Sequence, residues 1–261
     1  MTEARRINVS SGRPLEAKAH YSRALRMGDT VLQSGTTAIN RKGDIIGEGD
    51  VSAQVDAIMD LARESMGLAE GHFEDVVRAR LYVTEPTLLQ DAGRAFARYF
   101  TDVRPVLSLV AISRLARPTQ LIEIELEAVD GASKSAERYL KPDTQLDTFG
   151  ASDAVRIGDR VLVSGQPSGR AASAEGEIRG VLRGVRELLE HLGATWDDLV
   201  YTKTFLPSMA EVETVNGATI MVELIDGNVV LNGTAIVAAV DLEADNGVVH
   251  VIDAVILPPA E

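Results

Sequence analysis

The sequence predicts an α+β fold built as two tandem units, each a β-sheet with two helices packed on one face. Three observations carry that expectation. The chain is written twice: ALRMGDTVLQSGTTA, starting at Ala24, matches AVRIGDRVLVSGQPS, starting at Ala154, with the Gly-Asp turn and the Ser-Gly pair in register. AQVDAIMDLARESMGLAEGHFEDVVRARLYV from Ala53 matches GEIRGVLRGVRELLEHLGATWDDLVYTKTFL from Gly176, and the closing runs LIEIELEAV and GVVHVIDAV correspond. Second, the apolar period switches between two and 3.6 along each copy in the order ββαβαββ, which suits a sheet layered with helices. Third, 261 residues at 45% hydrophobic leave room for two cores. The units are placed at 1–133 and 144–261, joined by a polar linker over 134–143.

Each element has a local reason. Ala24–Met27 and Thr30–Ser34 are short β-rich runs around Gly28-Asp29, which predicts a hairpin. Val51–Ala69 sets Val55, Ile58, Met59, Ala62 and Met66 on one helical stripe. Its second-copy partner does the same with Ile178, Val181, Leu182, Val185 and Leu188–Leu189. Val76–Val83 alternates as a strand, with Val77, Ala79, Leu81 and Val83 on one side and Arg78 and Arg80 on the other. A second helix is expected over Thr87–Phe100, then strands near Leu107–Ile112 and over Leu121–Val129. The last strand alternates Ile122, Ile124 and Leu126 with Glu123, Glu125 and Glu127. One face is therefore core and the other carries three carboxylates. Arg80 on the neighbouring strand is expected to pair with that row. The helix-free face of the sheet needs a partner.

Composition narrows the function classes. Lys plus Arg total 26 against 39 for Asp plus Glu, a formal charge of −13, so nucleic acid and anionic membranes are repelled on average. Aromatics make up 4%, too few for an extended base-stacking platform. The absence of cysteine removes disulfides, thiolate nucleophiles and Cys-ligated zinc. The four histidines, His20, His72, His191 and His250, show no HExxH spacing, so no metal is expected. Glycine-rich phosphate loops are lacking, and GDIIGEGD (43–50) has the wrong ligand spacing for calcium. No apolar run reaches the length of a membrane span and the first residues do not read as a secretory signal, so a cytoplasmic protein is expected.

Each unit resembles the reactive intermediate deaminase (RidA/YjgF) family, once labelled L-PSP endoribonuclease, and the first copy is the closer match. The resemblance is carried by YSRALRMGDTVLQSGTTA (21–38), FEDVVRARLYVT (73–84), RPVLSLVAISRL (104–115) and LIEIELEAV (121–129). It implies a fold like chorismate mutase of the Bacillus type, assembly in threes, and ligand clefts between neighbouring units. It also implies cofactor-independent hydrolysis of enamine or imine intermediates to keto acids and ammonia. Carried across residue by residue, the acid or water-positioning Glu falls at Glu123, and Tyr21, Ser34, Gly35 and Thr36 line the pocket. The family's carboxylate-gripping Arg falls at Leu107 in the first copy and near Thr234 in the second. Glu123's counterpart in the second copy is Val249, so that copy is degenerate. Arg23, Arg104 and Arg114 are the cations near enough in sequence to stand in for the lost Arg.

Two functions follow. In the first, Glu123 relays a proton or holds water and Tyr21 orients a small imine, enamine or related conjugated substrate for hydrolytic deamination or tautomerisation. In the second, the protein binds a metabolite or scaffolds partner enzymes without catalysis. The old ribonuclease label is disfavoured by the acidic balance. A homotrimer of two-unit chains is the expected assembly.

Overall fold

The computed structural model describes residues 5–166, 174–203, 205, 211–213, 219–225, 228–231, 235–244 and 247–252. The chain divides into two compact units, 1–200 and 201–261.

The first unit opens with β1 (Arg6–Val9) and α1 (Pro14–Ala19), both missed by the sequence reading. The hairpin β2 (Ala24–Met27) and β3 (Thr30–Thr37) follows, turning through Gly28 at φ 62°. A left-handed turn position of this kind is where glycine is favoured. Next come α2 (Val51–Leu68), β4 (Val76–Val83), α3 (Leu89–Phe100), β5 (Val106–Ala111) and β6 (Ile122–Val129). The six-stranded sheet runs β1-β2-β3-β6-β4-β5. The β4–β5 pair is parallel because α3 provides the crossover, and the other neighbours are antiparallel.

Helix α2 starts where the Asp50 side chain accepts from the Ala53 N–H at 3.0 Å, a capping contact. Its predicted stripe, Val55, Ile58, Met59, Ala62 and Met66, is fully buried. Helix α3 contributes Ala92, Ala95, Phe96 and Phe100, with Phe96 and Phe100 stacked at 4.5 Å between centroids. Both helices cover the face formed by Val31, Ala79, Leu81, Leu107, Ile122 and Ile124. Each of the larger side chains buried there contributes about 1.5–3 kcal/mol.

Val77 departs from its expected side. The β4–β6 register shifts between Val76 and Arg78, so a bulge places Val76 in the helix-covered core and turns Val77 to the opposite face. There Val77, Val106 and Val129 meet Val155 and Ile157, which arrive from the segment after β6.

That segment comprises α4 (Ala132–Ser135), β7 (Glu137–Tyr139), the hairpin β8 (Ala154–Ile157) and β9 (Arg160–Val163), and α5 (Ala174–His191). Residues 134–143, expected as a linker, therefore hold a strand paired with β8. The segment is fastened to the first sheet by specific contacts. Ser152 N–H donates to the Pro105 carbonyl at 3.0 Å, and Phe149 packs where Gly93 of α3 lacks a side chain. The hairpin, α5 and the turn at Trp196–Asp198 repeat the order seen from β2 to the turn at Phe73–Asp75. Of the α5 stripe, Leu188 and Leu189 are buried whereas Ile178 and Leu182 are exposed.

In the second unit the described strands are β10 (Glu211–Glu213), β11 (Thr219–Ile225), β12 (Asn228–Leu231), β13 (Ala235–Ala244) and β14 (Gly247–Ile252). They form a consecutive antiparallel meander. Among the described residues after Val200 the helix-bearing order of the first unit is not repeated. Thr234, the second-copy counterpart of the gripping position, lies outside the described residues. No helix of the described residues is long and apolar enough to cross a membrane.

Candidate functional site

The site forms where β3 bulges against β6. Gln33 pairs with Leu126 and Thr36 with Ile124, so Ser34 and Gly35 together face the single residue Glu125. The bulge brings the Gly35 backbone against the Glu123 side chain. A Cβ at Gly35 would overlap Glu123 Oε1 and lie 3.0 Å from its Cδ. Gly35 is thus required for close approach, with a carboxylate occupying the space its side chain would fill.

Glu123 is partly buried, and its carboxyl makes no hydrogen bond or ion pair with any described residue. Its two neighbours on the strand are paired. Glu125 accepts from Arg80 at 3.1 Å and from the Tyr82 hydroxyl at 3.4 Å, while Glu127 is bound by Arg78 and approached by Arg160 at 3.9 Å. The pairing expected of Arg80 is present. Burial raises the Glu123 pKa above the ordinary carboxylate value, the Glu125 charge adds to that rise, and Arg23 opposes it. Of the three carboxylates in the row, Glu123 alone has both oxygens without a hydrogen-bond or ion-pair partner among the described residues.

Arg23 takes a different place from the one expected. Its side chain is 7% exposed and its donors are engaged internally. Nε donates to Glu16 Oε1 at 3.0 Å, Nη1 to the Gly35 carbonyl at 3.1 Å and to Thr36 Oγ1 at 3.3 Å, and Nη2 to the Tyr21 hydroxyl at 2.6 Å. Thr36 is fully buried, accepting also from Gln33 Nε2 at 2.7 Å and donating to the Ser34 carbonyl. Gln33 in turn accepts from Ser65 of α2. The Thr36 hydroxyl is thereby committed to the interior. Ser34 Oγ donates to the Ser22 carbonyl at 2.6 Å, tying the bulge to the segment before β2. Tyr21 remains partly exposed beside the cluster.

Glu16 anchors the group. Burial alone would raise its pKa, but hydrogen bonds from Ser11, Ser10 and Arg23 outweigh that and hold it down to about 2. Glu16, Gln33 and Ser65 were missed from sequence. The available signal was an acid seven residues before Arg23, with Tyr21 between them. Arg23 and Ser65 also border a small hollow with Arg13, Leu61 and Glu64. Its volume is about 20 Å³, room for one water.

The remaining candidates are dispersed. Leu107 is buried beneath the helices. Arg104 lies in the turn after α3 in a left-handed conformation, φ 53°, and pairs with Asp147 at 2.7 Å. Arg114 is exposed. The register sets Val106 of β5 level with Arg78 and Val110 level with Tyr82, whose partner on β6 is Glu123. Val106 therefore lies four residues, about 13 Å, along the strand from the level of Glu123, and Arg104 precedes the start of β5. The second Ser-Gly pair is also committed. Leu107 N–H donates to Ser164 Oγ at 2.8 Å, Gly165 N–H donates to the Leu107 carbonyl at 3.0 Å, and Ser164 Oγ donates to the Ser152 carbonyl.

Residues 11–130 match the family model described as Endoribonuclease L-PSP. A RutC family protein of Sulfurisphaera tokodaii is 31% identical over 104 residues, spanning 40% of this chain and 82% of the relative. The chain belongs to the RidA/YjgF family. A second relative, the 3-aminoacrylate deaminase RutC of Acinetobacter baylyi, is 26% identical, with 41% of this chain and 83% of the relative covered. Rv2704 of Mycobacterium tuberculosis, described as a member of the YjgF/YER057c/UK114 family, aligns at 35% identity with a TM-score of 0.44, covering 48% of this chain and 99% of the other. RidA/YjgF similarity thus accounts for about half of the chain. Residues 195–258 match a Fasciclin domain model.

Proposed function

We propose that the first unit acts on a small imine, enamine or related conjugated metabolite by hydrolytic deamination or tautomerisation, without a cofactor. The observation that carries this is Glu123: a partly buried carboxyl, raised in pKa, with no hydrogen-bond or ion-pair partner among the described residues and lodged against bare backbone. Such a group suits proton relay or the holding of a water. The deaminase named among the relatives supports the reaction class. Leu107 stands where the resemblance expects a gripping Arg, so a substrate carboxylate needs another holder or is absent from the substrate. Tyr21 and the Ser34–Gly35 bulge form the remaining wall.

A trimer of chains in the cytoplasm completes this reading, with the ligand-sized part of the cleft supplied by a neighbouring copy. For residues 144–261, a second Rid-like copy serving as wall is supported by the repeated element order as far as Asp198. The Fasciclin match offers a different origin for the residues beyond.

The test is ammonia release from a panel of freshly generated imines, with and without E123Q. Turnover lost in E123Q is the expected result; wild-type turnover in E123Q, or none in the native chain with every imine, refutes it. The buried Leu107 favours one alternative, a metabolite-binding or scaffold protein. That alternative predicts a ligand-dependent rise in Tm with no turnover.

A further inference from the structure

Among the described ion pairs, Glu16–Arg23 alone has both side chains less than a tenth exposed, at 2% and 7%. Burial of this kind is costly unless every donor is used. Here the donors reach Glu16, Gly35, Thr36 and Tyr21, drawn from α1, the segment before β2, and the β3 bulge. Three of those four residues are in or beside the candidate site.

The contact with Tyr21 has a direction that no placement of hydrogens alters. A guanidinium has donors only, so the phenol oxygen must accept, and its own proton is left for a different acceptor. The bond is charge-assisted and short, 2.6 Å, with the guanidinium also 5.2 Å from the centre of the Tyr21 ring. The same guanidinium fixes the Gly35 carbonyl, on the residue against which Glu123 packs. The charged groups around this cluster are Arg13, Glu16, Glu64 and Glu123. Glu16 is held ionised by its serine donors, so Arg23 keeps a fixed orientation.

We infer that Arg23 is a positioning residue: anchored by Glu16, it holds the Tyr21 hydroxyl as a hydrogen-bond donor to the nitrogen or oxygen acceptor of an imine or carbonyl substrate at Glu123. This deepens the reading above and rests on it for the substrate class. Arg23 itself touches no substrate. It sets which way Tyr21 donates and fixes the backbone wall at Gly35.

The experiment uses the full chain labelled with ring-¹³C tyrosine, the Tyr21 signal being assigned by its loss in Tyr21→Phe. The Tyr21 ring-carbon resonances are compared at one fixed pH in the native chain, in Arg23→Lys and in Arg23→Gln. Removing the guanidinium in Arg23→Gln is expected to move the Tyr21 Cζ resonance, because the phenol oxygen loses its donor. Arg23→Lys keeps the charge but loses the fork, and is expected to fall between. Should Arg23→Gln fail to fold, the paired replacement Glu16→Leu with Arg23→Met removes both charges and is compared instead. A Tyr21 Cζ resonance unmoved in the folded variants overturns the inference. So does equal kcat in the native chain and Arg23→Lys on a substrate that Glu123 processes. A moved Tyr21 resonance in a chain that turns over no imine keeps the positioning role and refutes the deamination reading, so the two failures are distinguishable.

Discussion

Replacing Gly35 by Ala tests the geometry of the site without any knowledge of substrate. The added methyl overlaps Glu123 Oε1 and lies 3.0 Å from Cδ. Carbon contacts relax near 3.5–4.0 Å, so the carboxyl must withdraw by about an ångström or more. The obstruction is the end of a side chain and can swing away. Crowding costs about 1–3 kcal/mol, while Ala in place of Gly in a strand returns roughly 0.5–1 kcal/mol. The net expectation is a loss of about 0–2 kcal/mol. In an Glu123→Ala background the obstruction is gone, and Gly35→Ala becomes neutral or stabilising. A double-mutant cycle by urea unfolding should therefore yield a coupling of about 1–3 kcal/mol. An equal cost of Gly35→Ala in both backgrounds would refute the proposed contact. In the single variant, Glu123 should also titrate closer to an ordinary carboxyl, having left its partly buried position.

Further expectations follow from the charges and the packing. Burial and Glu125 raise the folded pKa of Glu123, so the stability tied to its proton is full below the unfolded pKa and is lost as pH rises through the folded value. Urea midpoints measured across that window should slope downward more steeply in the native chain than in Glu123→Gln. Glu16 works in the opposite sense: depressed from 4.5 to about 2, it contributes roughly 3 kcal/mol above pH 4.5 that is lost as pH falls toward 2. Glu16→Gln should flatten acid unfolding, and an unchanged acid limb would count against the buried pair. Arg26, 2% exposed, donates to both oxygens of Asp130 and to the Ala69 and Glu70 carbonyls. Arg26→Ala should cost about 3 kcal/mol by urea unfolding, because those carbonyls lose their donor. At Gly93, a Cβ would come within 2.5 Å of the Phe149 ring. Gly93→Ala should loosen the segment after β6, seen as faster proteolysis between 130 and 166, and unchanged digestion would argue against that docking.

Much of the first unit was legible because its signals are local. The stripe of α2 and the alternation of β6 each follow from a single period, and the hairpin from its Gly-Asp turn. What was hidden depends on partners remote in sequence. Val77 reads as one more inward residue until the bulge opposite Ala128 and Glu127 turns it outward. Arg23 reads as a surface charge beside Tyr21, yet Glu16 and the Gly35 carbonyl make it affordable to bury. β1 was missed because RINV is too short to show a period, and it is a strand by virtue of pairing with β2. Glu123 was singled out through resemblance. Its difference from Glu125 and Glu127 appears only once Arg80 and Arg78 are seen to take the other two.

The closure of β5 by Ser164 and Gly165 has a countable consequence. A Ser-Gly pair whose hydroxyl and amide are both spent on the Leu107 backbone has nothing left to offer a guest molecule. Despite the repeated motif, saturation with any ligand of the Ser34–Gly35 bulge should end at one equivalent per polypeptide, a stoichiometry that calorimetry reads directly.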